Sequence, residues 1–138
     1  MYNKRKINKI LIVDDSAMNR AILADMLNEQ YEILEAENGV EGLKLLQKFE
    51  TEISLVLLDI VMPEMDGFEV LAMMNRYHWI EEIPVIMISA ENSHSIVERE
   101  YELGATDYIS RPFDEVIVCR RVINTIMLYL KQKRLISM

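Results

Sequence analysis

One cysteine in 138 residues, Cys119, has no partner within the chain. An internal disulfide is therefore excluded, and such sparing use of cysteine fits a reducing cytoplasm. On a helix, that thiol reads as a small core hydrophobe rather than a reactive group. Long apolar runs are missing too: none approaches the ~20 residues that a membrane span needs. The basic start, Met1 to Lys6, is followed by an apolar stretch only one strand long, which then meets two aspartates. That pattern is not a secretory signal. Positive charge is also scarce. With 15 Lys and Arg against 23 Asp and Glu, the net charge is −8, which disfavours nucleic-acid binding by this domain. No repeat, low-complexity tract or internal linker divides the chain, so residues 1–138 read as one domain with a core over about 8–131.

Apolar residues make up 51% of the chain, enough for a globular core, and their pattern alternates between two periods. Strands are predicted at Lys9–Val13, Tyr31–Glu35, Ser54–Leu58, Pro84–Ile88 and Asp107–Ile109. The third is the most apolar and is predicted to be central; the second is more polar, as suits a position near a sheet edge. Helices are predicted between them. The first runs from an N-cap at Ser16 to Glu29, with Met18, Ala21, Ile22, Met26 and Leu27 on its apolar side. The second starts at Asn38-Gly39 and runs to about Phe49, with Val40, Leu43, Leu46 and Phe49 inward. The third spans Phe68 to about Arg76. The fourth spans about Ser93 to Leu103 and ends at Gly104, and the fifth runs from a cap at Asp114 to near Arg134. Five βα units with short links imply an α/β fold, a doubly wound five-stranded parallel sheet with helices on both faces. The last helix keeps apolar residues at Val122, Ile123, Ile126, Met127 and Leu130, beyond where a compact core should end. It also gathers Arg120, Arg121, Lys131, Lys133 and Arg134. Cations suit the last turn of a helix; the surplus also suits a dimer contact or a lead into a further domain, so the chain reads as a fragment.

The polar residues that end these strands are the candidate site, because ligands of open α/β sheets sit at the strands' carboxyl ends. Asp14 and Asp15 end the first strand, Asp59 the third, Ser89 the fourth, and Tyr108 and Arg111 surround the end of the fifth. Adjacent carboxylates repel, and a fold holds them together when a cation compensates. Mg²⁺, which takes hard oxygen ligands and keeps several waters, suits one or two carboxylates plus a phosphoryl oxygen. Asp59 is then the candidate nucleophile of a phosphoryl transfer, Ser89 a hydrogen-bond donor to the phosphoryl group, and Arg111 its cationic partner. Taken singly, Asp14-Asp15-Ser16 could be a helix cap, Ser89 an ordinary strand-end hydroxyl, and Tyr108 a half-buried aromatic.

The set of Asp14-Asp15, Asp59, Met62-Pro63 with Gly67, Ser89-Ala90, Gly104-Ala105, Tyr108 and Arg111-Pro112-Phe113 resembles the receiver domain of two-component response regulators, over about Asn8 to Lys131. The separations agree as well: 44 residues from Asp15 to Asp59, 30 to Ser89 and 22 to Arg111. The resemblance implies the flavodoxin-like (βα)5 fold and a cytoplasmic signalling switch rather than a turnover enzyme. It implies that Asp59 takes a phosphoryl group from a sensor histidine kinase or phosphotransfer protein. It further implies Mg²⁺ held by Asp15, Asp59 and the backbone carbonyl of Val61, with Asp14 acting through water. Ser89 and Tyr108 would form a switch that reshapes the face of the fourth helix, fifth strand and fifth helix toward an output domain, a partner or a second copy. Arg111 stands where the family has lysine, and a guanidinium is larger, planar and bidentate. The alternative is therefore a phosphorylation-independent interaction domain using the same face. An aspartyl phosphohydrolase would need an acid/base carboxylate two residues after the nucleophile, where Val61 stands. A flavin phosphate would be repelled by Asp14-Asp15. Family tails of this kind commonly lead to nucleotide-cyclase, phosphodiesterase or kinase modules, which makes cyclic-dinucleotide turnover the runner-up output.

Overall fold

The structure is a computed structural model and describes residues 8–90 and 103–137, with side chains to 133. Strands β1 (Lys9–Val13), β2 (Glu32–Ala36), β3 (Ile53–Asp59), β4 (Val85–Ser89) and β5 (Asp107–Ser110) form one sheet in the order β2-β1-β3-β4-β5. Every pairing is parallel. Helices α1 (Ala17–Leu27), α2 (Gly39–Phe49), α3 (Gly67–Arg76) and α4 (Glu115–Ser137), with a 3₁₀ turn at Trp79–Glu81, connect and cover the strands. The expected parallel α/β architecture with β3 at its centre is present. The helix expected at about 93–103 lies outside the described residues. Among the described residues, no helix is long and apolar enough to cross a membrane.

Alternation along buried strands builds two cores at once. Leu11, Val13, Val56, Leu58, Val85 and Met87 face α2 and α3, where Leu46, Val70, Leu71 and Met74 meet them. The intervening Ile10, Ile12, Leu55, Leu57, Ile86 and Ile88 face α1 and α4, against Leu23, Leu27, Val118, Val122 and Ile126. Successive strand side chains point to opposite faces, so a strand covered on both sides is apolar throughout.

Helix starts follow local hydrogen bonding. Ser16, Asn38, Asp66 and Asp114 each accept a bond from the backbone N–H three residues on, satisfying donors that a helix's first turn leaves open. The apolar side expected for α1 needs correction. Met18 is 73% exposed and Ile22 39%, while Leu23 and Leu27 are the fully buried pair. Leu23 and Leu27 lie four residues apart and share a face; several apolar residues in a short helix left two phases open, and docking on the sheet selected one. Val40 of α2 and Ile123, Met127 and Leu130 of α4 are likewise exposed, whereas Val122 and Ile126 are buried.

Gly67 joins the fold to the site. Its N–H donates to the Ile60 carbonyl at 2.8 Å, drawing the start of α3 onto the end of β3. A Cβ there would overlap the Asp59 carbonyl oxygen and stand 2.9 Å from the Ile60 Cα. Both are backbone atoms with little freedom to yield. Gly67→Ala is therefore expected to lower stability by about 1–3 kcal/mol, read from the urea midpoint, with amide shifts concentrated over residues 59–67.

Candidate functional site

The carboxyl edge of the sheet is where β1, β3, β4 and β5 deliver their terminal polar residues. Register places Val13 beside Leu58 and Asp59 beside Ile88, so the residues just beyond are forced together by strand pairing. Asp14 is fully buried and Asp59 is 2% exposed; Asp15 points to solvent. One carboxylate oxygen from each of the three lies within 4.8 Å of the others.

Individual contacts define the orientations. Asp14 Oδ1 accepts from the Ser16 N–H at 2.8 Å, and the Val61 N–H bonds to the Asp59 carboxylate. The other oxygens, Asp14 Oδ2 and Asp59 Oδ1, are buried with no hydrogen-bond partner among the described residues. Facing them is Arg111, whose Nη1 stands 3.8 Å from Asp14 Oδ2 and whose Nη2 stands 3.6 Å from Asp59 Oδ1. These distances are too long for hydrogen bonds but short enough for charge to be felt. The Arg111 N–H donates to the Ser89 carbonyl at 3.1 Å, which ties the residue to the end of β4, and its peptide bond to Pro112 is cis. Asp59, Val61, Ser89, Ala90 and Arg111 line a cavity of about 270 Å³.

Burial raises the pKa of Asp59 to about 7, with the Asp14 charge adding to it and Arg111 opposing it. Asp14 is raised as well, by burial first, against the Ser16 bond and Arg111. Two desolvated carboxylates with unpaired oxygens call for a small hard cation, and Asp14, Asp15 and Asp59 together fit Mg²⁺ on that ground.

Every sequence-predicted site residue lies at this edge except Tyr108, which sits inside β5 two residues before its end. Tyr108 is paired with Met87 in the β4–β5 ladder and is half-buried. Arg121 of α4 lies 5.3 Å above its ring and also donates to the Tyr108 carbonyl. Sequence reading placed Arg121 only among the cations of the last helix, and it passed over Arg20, whose Nη1 donates to the Asp14 carbonyl at 2.6 Å. No spacing rule signals either contact, because each joins a helix to the end of a strand.

Fold and site together define a parallel α/β domain with an acidic cluster, able to hold a metal ion, at the carboxyl edge of its sheet. Residues 10–123 match the response regulator receiver domain, and the chain belongs to that family. It is 34% identical over 118 residues to the two-component response regulator ORR5 of Oryza sativa subsp. japonica, covering 83% of this chain and 87% of that one. It is 40% identical over 113 residues to a Vibrio cholerae protein named "Probable cyclic di-GMP phosphodiesterase", covering 82% of this chain. The matched part spans a quarter of that relative's length. Among solved structures, a chain of the CheX-CheY-BeF3-Mg²⁺ complex of Borrelia burgdorferi superimposes with a TM-score of 0.77 at 33% identity, covering 84% of this chain and 87% of that one.

The raised Asp59 pKa has a stability consequence in metal-free protein. The folded state holds a proton that the unfolded chain, with its ordinary carboxyl near 3.8, has already released. Between about pH 4 and pH 7 the native state binds more protons, so stability falls as pH rises through that window and stays at the lower level above it. In chelator, Asp59→Asn should remove that loss, stabilising the protein at pH 8 by about 1–3 kcal/mol and flattening the profile from pH 4 to 7. Millimolar Mg²⁺ should raise the wild-type midpoint by ligand linkage and do so much less for Asp15→Asn. Denaturant unfolding across pH, with and without Mg²⁺, measures both.

Proposed function

We propose that residues 1–138 form one phosphorylatable receiver domain in which Asp59 accepts a phosphoryl group from a phosphohistidine of a sensor histidine kinase or phosphotransfer protein. The observation that carries this reading is a buried carboxylate at the floor of a cavity walled by a hydroxyl and a guanidinium, with two further carboxylates beside it. In the transfer, an Asp59 oxygen bonds to phosphorus while the P–N bond breaks, and the bonding electron pair leaves with the imidazole, which is protonated. Mg²⁺ held by Asp15, Asp59 and the Val61 carbonyl, with Asp14 acting through water, would supply the positive charge that lets phosphoryl oxygens approach carboxylates.

The remaining residues handle the product. The Ser89 hydroxyl donates to one phosphoryl oxygen and Arg111 pairs with another, each charge-assisted contact contributing roughly 1.5–3 kcal/mol. Movement of Ser89 lets the Tyr108 ring turn inward. That reshapes the face of the segment before β5, β5 itself and α4, which meets an output domain, a partner or a second copy. The name of the Vibrio relative supports cyclic-dinucleotide turnover as the output. The domain acts as a cytoplasmic switch, with no nucleic acid bound at its own surface. Incubation with Mg²⁺ and acetyl phosphate should add one phosphoryl group to the intact mass of the wild type and none to Asp59→Asn; equal gain by the variant would refute the assignment.

Arg111 is the observation that favours a second reading, a phosphorylation-independent interaction domain. Its two nitrogens already face Asp14 and Asp59, an arrangement that a single ammonium cannot copy. For a working switch, beryllofluoride should shift amide resonances across the segment before β5, β5 and α4. Arg111→Lys should retain phosphorylation with an altered lifetime, and Arg111→Ala should impair the response much more. Absence of the shift in wild type, together with its appearance in Arg111→Lys, would decide for the second reading.

A further inference from the structure

We infer that Arg20 and Glu35 act as a positioning pair that fixes the peptide between Asp14 and Asp15 and thereby sets the site's affinity for a divalent cation; this rests on the acidic residues being a cation site. The Asp14 N–H makes the last rung of the β1–β2 ladder, donating to the Ala36 carbonyl at 3.1 Å. Beyond that rung the Asp14 carbonyl has no strand partner. Arg20 supplies one from the first turns of α1, its Nη1 donating at 2.6 Å. The same guanidinium donates through Nε to Glu35 Oε1 at 3.0 Å, and Glu35 precedes Ala36 on β2.

Both bonds leave one rigid plane, so Glu35 fixes the plane and the plane fixes the carbonyl. A carbonyl oxygen defines the plane of the peptide that follows it. Held there, and with Ser16 N–H on Asp14 Oδ1, the backbone has little freedom in where it sends either carboxylate. Among the described residues Arg20 hydrogen-bonds the Asp14 carbonyl and Glu35, not a carboxylate of the acidic pair. Its influence therefore runs through the backbone. The Arg20 side chain is only 15% exposed, unlike a solvated surface cation.

The test is calorimetric titration of Mg²⁺ into metal-free wild type, Arg20→Ala, Arg20→Lys, Glu35→Gln and Arg20→Ala/Glu35→Gln. Asp15→Asn serves as the site control and Lys9→Ala as the structural control. Lys9 pairs with Glu32 and Glu52 at the opposite end of β1, so its loss removes a comparable ion pair away from the site. Arg20→Ala should weaken Mg²⁺ binding by about tenfold, and Arg20→Lys should recover part of it. Glu35→Gln should weaken binding less, and the double variant should match Arg20→Ala because Glu35 acts through Arg20. In metal-free protein, Arg20→Ala should also shift the amides of Asp14, Asp15 and Ser16. A merely structural role would lower the thermal midpoint of Arg20→Ala and Lys9→Ala alike and leave both dissociation constants at the wild-type value. Wild-type affinity in Arg20→Ala, with Asp15→Asn impaired, overturns the positioning role alone. If wild type fails to bind, or Asp15→Asn binds as well as wild type, the cation-site reading itself fails and the positioning role falls with it.

Discussion

Two carboxylates, Asp14 and Asp59, are held out of water at the ends of adjacent strands, and their mutual repulsion organises the site around them. Desolvation alone disfavours a buried carboxylate, and a second one beside it adds to the penalty. The protein answers in part with Arg111, which lowers both pKa values without making a hydrogen bond to either. The remaining imbalance, recorded in two buried oxygens without partners among the described residues, is what a divalent cation would relieve.

The two-sided core gives that arrangement its rigidity. Because β1 and β3 are buried on both faces, their register cannot slip without turning both cores inside out, and the relative heights of Asp14 and Asp59 are fixed by packing well below the site. The close fit of Gly67 against Asp59 and Ile60 extends the same constraint into the loop. The outer strand β5 is anchored by the buried Ile109 and adds polar contacts from Arg121 to Tyr108 and from the Arg111 N–H to Ser89.

Much of this was legible in the chain itself. Four apolar runs that end in polar residues place Asp14, Asp59, Ser89 and Arg111 at one sheet edge by the logic of parallel strands alone, and all four meet there. The inward face of α1 was legible only in part: Leu27 was expected inward and is buried, but Met18 and Ile22 fit an apolar stripe as well as Leu23 does, and periodicity cannot choose between two phases in an eleven-residue helix. Gly67 was visible as a motif glycine, but its reason, the backbone of Asp59 and Ile60 filling the space of a Cβ, is a contact between β3 and α3 that the linear order does not state. Arg20 gave no sign, since Glu35, one of its two partners, lies on another strand.

The sequence by itself determined the sheet, the strand ends and the identity of the acidic residues, because burial on both faces writes itself as unbroken apolar runs and their interruption marks the edge. Only the tertiary structure decided which oxygens are left without partners, how far the Arg111 fork reaches, and that Arg20 clamps the Asp14 carbonyl. Those are matters of ångströms between elements distant in the chain, set by register, helix docking and loop closure together.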